Sequence, residues 1–148
     1  MALTTPSSVR FDSGVLGRLQ SFVAAHPDLS LSSASNRLID EALRMYEHPL
    51  VVFRDGPAGR RARLAGGPDV WEVVGAIRSV RESEPDCTGD DALRTVAETS
   101  GVGMSMLHAA LDYWGDYPDE VNAFVDRARA EAEQARTRWE REQELLGL

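Results

Sequence analysis

The feature that most constrains this chain is a short run near its start, Ser7-Ser8-Val9-Arg10-Phe11, set directly before two helical patterns. Ser8 and Arg10 fall on one face and Val9 and Phe11 on the other, the period-two signature of a half-buried strand. Five residues cannot hold a strand by themselves, and a lone strand leaves its backbone donors and acceptors unpaired. The simplest partner for that edge is the same strand from a second copy of the chain.

The residues around the run fix its limits. Pro6 lacks a ladder donor and belongs at the start or edge of a strand. Asp12 or Ser13 can cap a first helix over about Gly14–Ala25, whose apolar stripe is Val15, Leu16, Leu19, Phe22 and Val23. His26-Pro27-Asp28 ends it. A second helix is expected from about Ser33 to Glu47, with Leu38, Ile39, Ala42, Leu43, Met45 and Tyr46 as its apolar side, and His48-Pro49 closes it.

Leu50–Phe53 and Arg60–Leu64, separated by a Gly- and Pro-rich stretch, read as a β-hairpin. Asp69 then opens a helix through Val70, Trp71, Val73, Val74 and Ile77. Two more helical patterns flank the turn Ser100-Gly101-Val102-Gly103, in the manner of an αα-hairpin or helix-turn-helix. Gly115–Asp119 is the last breaker, with Asp116 and Asp119 placed as a capping pair for a final helix over about Pro118–Leu146. The apolar side of that helix starts with Val121, Phe124 and Val125, thins to alanine, and ends in Trp139, Leu145 and Leu146. A domain this small cannot cover the distal half of a helix roughly 40 Å long.

Composition sharpens the division of labour. The net charge of −8 is unevenly spread: residues 1–48 hold 4 Arg against 5 acids, 49–84 hold 6 against 5, and 85–148 hold 6 against 14. The acidic end repels DNA and attracts a basic partner. All 16 basic residues are arginine, which reads as a mark of GC-rich coding rather than of function. The single cysteine, Cys87, cannot form an internal disulfide and fits a reducing cytoplasm. No apolar run approaches the roughly 18 residues of a membrane span or looks like a secretory signal, so no membrane role is expected.

Two strands side by side, set on four helices, can enter the major groove of DNA. In such a ribbon Arg10 can donate in bidentate fashion to guanine and Ser8 to either base type. Taken alone, the same alternation also describes a surface strand whose arginine faces water. At the start of the second helix, Ser33, Ala34 and Ser35 put small residues where free backbone N–H groups can take a phosphate, although serine there is also an ordinary cap. The Gly56–Arg61 stretch lacks the Lys-Ser/Thr of a phosphate loop and reads as a turn. Arg60, Arg61 and Arg63 are left between two roles, touching DNA backbone or acids of the other domain. The helix around His108 has no Arg or Lys, which favours a structural role. Cys87, His26, His48 and His108 show no ligand spacing, and the acids of the last helix alternate with arginine as on a solvated face. No catalytic residue, metal or cofactor is expected.

Residues Ser7 to Tyr46 resemble the ribbon-helix-helix fold of the Arc, MetJ and CopG type regulators. The likeness rests on Ser8-Val9-Arg10-Phe11, then Val15-Leu16-Leu19-Phe22, then Ser33-Ala34-Ser35 before Leu38, Ala42 and Leu43. It implies that Ser8 and Arg10 face the bases while the backbone at Ser33 to Ser35 clamps a phosphate. Pro6 stands where the family's outermost base-reading side chain would lie. A longer stretch, from Arg37–Met45 through Glu47-His48-Pro49, Phe53–Arg61 and Ala65–Val74 to Tyr113-Trp114, Tyr117–Val121 and Trp139-Glu140-Arg141, is similar to actinobacterial CopG-type proteins. In these a ribbon-helix-helix head joins a small helical domain. The group resembles the antitoxins of type II toxin–antitoxin pairs, often encoded beside a PIN-like ribonuclease toxin.

The expectation is therefore a mainly α chain in three parts. Residues 1–48 form a ribbon-helix-helix head, 49–117 a hairpin and helical domain, and 118–148 a long partner-binding helix. It is read as a cytoplasmic, non-enzymatic repressor: a homodimer, or a higher oligomer on DNA, that binds a roughly palindromic duplex operator. Its toxin would be held through Arg136, Arg138, Trp139, Leu145 and Leu146. The alternative is a stand-alone regulator whose C-terminal domain joins copies of itself.

Overall fold

The computed structural model describes residues 4–148, which divide into two units, the first ending at Arg44 and the second spanning Met45–Leu148. The first unit holds α1 (Ser13–Ala25) and most of α2 (Leu31–Glu47). Residues 4–12 run into α1 without regular structure. The strand expected at Ser7–Phe11 is not formed in the single chain, because a ladder needs a neighbouring strand and the described residues of this unit supply none. α1 ends where the His26 N–H turns back to the Val23 carbonyl (3.0 Å) and the His26 ring stacks on Phe22 at 4.0 Å between centroids. α2 begins two residues earlier than the sequence pattern suggests, because Ser30 and Ser33 cap it together. The Ser30 N–H donates to Ser33 Oγ (2.8 Å) and the Ser33 N–H to Ser30 Oγ (3.1 Å).

The second unit is built on a two-stranded antiparallel sheet, β1 (Val51–Arg54) and β2 (Arg61–Leu64), as the Gly- and Pro-rich connection predicts. The register pairs Val51 with Leu64, Val52 with Arg63, Phe53 with Ala62 and Arg54 with Arg61. Val51, Phe53, Ala62 and Leu64 thus share the buried face. Helices α3 (Val70–Ser83), α4 (Gly89–Ser100), α5 (Met104–Asp116) and α6 (Pro118–Leu146) follow. α3 starts cleanly because the Glu72 carboxylate accepts the Asp69 N–H (2.8 Å). α4 stops at Gly101, whose φ of 73° is the left-handed cap that glycine adopts without strain.

Leu64, Val70, Val96, Leu107, Tyr113 and Val125 are fully buried at the centre of this unit. Tyr113 keeps its hydroxyl satisfied by donating to Glu120 Oε2 (2.7 Å). Asn122 ties three helices together, accepting from Arg78 of α3 (2.6 Å) and Trp114 of α5 (2.9 Å). At the start of residues 118–148, Val121 and Val125 lie in the core of the second unit. The compact units divide after Arg44. Glu47 and His48 are fastened inside the second unit by Tyr117 (Oη to Glu47 Oε2, 3.2 Å) and Asp116 (Oδ2 from His48 Nε2, 2.8 Å). Asp116 is therefore engaged by His48 rather than capping α6, which instead begins on Tyr117 and Pro118. No helix among the described residues is long and apolar enough to cross a membrane.

Candidate nucleic-acid and partner interfaces

The first unit has little core. Among its described hydrophobic residues only Leu19 and Ala34 are buried, while Val9, Phe11, Val15, Ile39 (48% exposed) and Leu43 (56%) remain open. Phe11, Val15, Leu19, Phe22, Leu38 and Ile39 line an almost wholly apolar groove of about 350 Å³. Units of this size rarely bury enough apolar surface to stand alone. An open groove of this composition is a candidate interaction face.

Ser8 and Arg10 lie exposed in the segment that carries Phe11 to the groove. At the α2 start the donors are distributed differently from the expectation. The Ser33 N–H is taken by Ser30 Oγ, and the Ala34 N–H by the Ser30 carbonyl (2.9 Å). Ala34 is completely buried, and Ser35 Oγ donates back to the Leu31 carbonyl (2.7 Å). The N–H groups left pointing out of the helix start are those of Leu31 and Ser32, one step before Ser33–Ser35. The missed residue is Ser30. Its signal was legible as a serine three residues before another serine, directly ahead of an apolar helical repeat.

The hairpin arginines separate into two kinds. Arg61 reaches back to the buried carboxylate of Asp69, which also accepts from Trp71 Nε1 (3.2 Å). Arg60 pairs with Asp55 (3.3 Å). Arg54 and Arg63 are exposed and have no carboxylate partner among the described residues; Arg63 Nε donates to the Gly67 carbonyl (2.8 Å). The turn between the strands is closed by Gly56 and Gly59, each N–H donating to the other's carbonyl (3.1 and 2.9 Å). A side chain at Gly56 would overlap the Arg61 guanidinium. The turn's amides are thereby used within the hairpin, in keeping with the turn reading of this stretch.

In α6 the last cross-element bonds are those of Arg127 to the Ala58 carbonyl (2.8 Å) and Arg129 to Glu82 (2.8 Å). Residues 130–146, about 25 Å of helix, make none to another element among the described residues. This stretch is held by its own pairs, Arg136 with Glu133 (2.7 Å) and Glu140 (3.7 Å). Trp139 is 59% exposed, Leu145 87% and Leu146 68%. Of the expected partner-binding set, Arg136 is occupied within the helix, whereas Arg138 has no carboxylate partner among the described residues. No group of three or more His, Cys, Asp or Glu side chains among the described residues could hold a metal ion. No protein-family model, curated protein or solved structure matches this chain.

Proposed function

We propose that this chain is a homodimeric DNA-binding repressor of ribbon-helix-helix type, acting as the antitoxin of a toxin–antitoxin pair. The observation that carries the reading is the incomplete first unit. Its groove between Phe11, Phe22 and Ile39 is apolar and open, and the adjoining extended segment alternates Val9 and Phe11 with Ser8 and Arg10. Pairing that segment with its copy fills the groove, completes a two-stranded ribbon and turns both Arg10 side chains to one face. Arg10 then reads guanine, Ser8 supports it, and the Leu31 and Ser32 amides take a phosphate at the helix start.

The toxin is held by the distal part of α6, where Trp139 and Leu146 continue the row of Val121, Val125, Ala128, Ala132 and Ala135 beyond the core. Glu142 falls in the same row. Parallel, in-register pairing of two such helices would set Glu142 against itself, which favours a different, basic partner over a second copy.

A mobility-shift assay on the DNA upstream of the chain's own gene tests the DNA-binding half. The wild type should prefer that duplex over random sequence, and Arg10→Ala should lose roughly 5- to 150-fold of the preference, the range of 1–3 kcal/mol per bidentate base contact. Equal selectivity in the two proteins would sink the reading. Co-purification of the adjacent gene's product, lost with Trp139→Ala, tests the toxin half.

A further inference from the structure

We infer that the outward face of the β1–β2 hairpin is a second nucleic-acid contact, in which Arg54 and Arg63 bind backbone phosphates. The inference rests on the DNA-binding reading of the head and adds a surface that this reading does not include. The register puts Val52, Arg54, Arg61 and Arg63 on the face opposite the core. Residues 51–69 hold four arginines and two acids, Asp55 and Asp69. Both acids are consumed by Arg60 and Arg61, so Arg54 and Arg63 remain as exposed, unneutralised cations.

The other arginines of the acidic second unit are more often paired. Met45–Leu148 carries 12 arginines against 20 acids, and its other arginines are mostly paired: Arg78 with Asp126, Arg94 with Asp91, Arg127 with Glu131, Arg129 with Glu82 and Arg136 with Glu133. Nearby acids would have neutralised the hairpin cations as well, had the fold brought any to that face.

Nucleic acid fits this face better than an acidic protein for two reasons. Arg54 and Arg63 stand diagonally across the ladder, two residues from direct pairing on each strand. Diagonal neighbours lie about 7–8 Å apart, which suits two successive phosphates better than one carboxylate. The guanidinium fork also matches phosphate oxygens in pairs. The head, moreover, lacks the charge for the task. Through Arg44 it has Arg10, Arg18, Arg37 and Arg44 against Asp12, Asp28, Asp40 and Glu41, a net charge of zero. Phosphate neutralisation supplies a large share of the affinity of a DNA-binding protein, and Arg54 and Arg63 add two unneutralised cations on one face for it.

The test is the salt dependence of binding by the full chain to its own upstream duplex and to a random duplex of equal length. Removing two phosphate contacts should flatten the slope of log K against log salt by about 1.8 per bound chain. Arg54→Ala/Arg63→Ala should show that change on both duplexes while keeping the preference between them, and Arg54→Lys/Arg63→Lys should restore most of the slope. Arg10→Ala should do the opposite, losing preference with little change in slope. Because Arg54 and Arg63 are exposed, the double variant should unfold at the wild-type temperature, which a thermal melt checks.

An unchanged slope in the double variant, with selectivity still lost in Arg10→Ala, overturns the hairpin contact and leaves the head reading standing. A flattened slope with no effect of Arg10→Ala does the reverse. Loss of binding to poly-glutamate with an unchanged DNA slope assigns the face to an acidic protein and overturns the inference, and failure of the wild type to bind any duplex overturns both readings.

Discussion

In the second unit Leu64, Leu107 and Tyr113 are wholly buried within one copy of the chain, whereas in the first unit Phe11, Ile39 and Leu43 stay open to solvent. The contrast lies less in residue types than in closure. The second unit packs four helices and the inner face of its sheet into one core within the same chain. The first unit has two helices and an extended segment, too few faces to cover one another. A unit closed in this way should be stable at any protein concentration. A unit whose open groove is closed by association should instead depend on concentration.

The largest test of that contrast is Tyr113→Ala. It removes a fully buried ring at the centre of the second unit, and with it the hydrogen bond to Glu120. The loss should be about 3–5 kcal/mol, read by urea unfolding and independent of protein concentration. A loss below about 1 kcal/mol would mean that this core tolerates collapse and the contrast is overdrawn.

Phe11→Ala comes next. Phe11 is 36% exposed in the single chain and lines the open groove. If a second copy covers it, the substitution forfeits about 1.5–3 kcal/mol per ring of association. The dimer should then dissociate at least tenfold more readily in sedimentation, with the unfolding of the second unit unchanged. An equal effect at all concentrations would place Phe11 in a closed core instead.

The same contrast explains what was legible in the sequence. Helix limits set by local chemistry were readable: Pro118 at the start of α6 and Gly101 at the end of α4 act within a turn of themselves. The hairpin was readable for the same reason, since Gly56 to Gly59 closes it locally. The alternation at residues 7–11 was readable as a pattern but is not a strand in the structure, because no second strand among the described residues adjoins it. Long-range allocations were not readable at all. Asp116 stands beside the α6 start and reads as a cap, yet it is engaged by His48, 68 residues away. Arg60, Arg61 and Arg63 look equivalent in sequence. They part only when the turn brings Asp69 to Arg61 and leaves Arg63 to the Gly67 carbonyl.

Ser30→Ala sharpens the contrast at smaller scale. It removes the hydroxyl that accepts the Ser33 N–H and so should cost about 1 kcal/mol. Because the loss falls on the first unit, it should appear as weaker dimerisation in the same sedimentation experiment. The exposed Leu31 and Ser32 amides should also hold phosphate less firmly, weakening DNA binding alike on specific and random duplexes. A change confined to one sequence would argue that Ser30 itself touches a base.

The smallest effect on folding is expected at Trp139, and it separates two kinds of openness. The groove of the first unit and the distal α6 face both expose large apolar side chains, but a groove leaves its own unit incomplete and a projecting helix does not. Residues 130–146 carry their own i,i+3 and i,i+4 ion pairs around Arg136, so the helix continues without help from Trp139. Trp139→Ala should therefore leave stability within about 0.5 kcal/mol of wild type, at every concentration, and leave the dimer mass unchanged. If α6 holds the proposed toxin, the same substitution should abolish its retention, because a half-exposed indole flanked by charged residues is a typical anchor for a partner's pocket. A concentration-dependent fall in stability would show instead that two copies bury Trp139 against each other, and the distal helix would then belong with the groove as a surface closed by self-association.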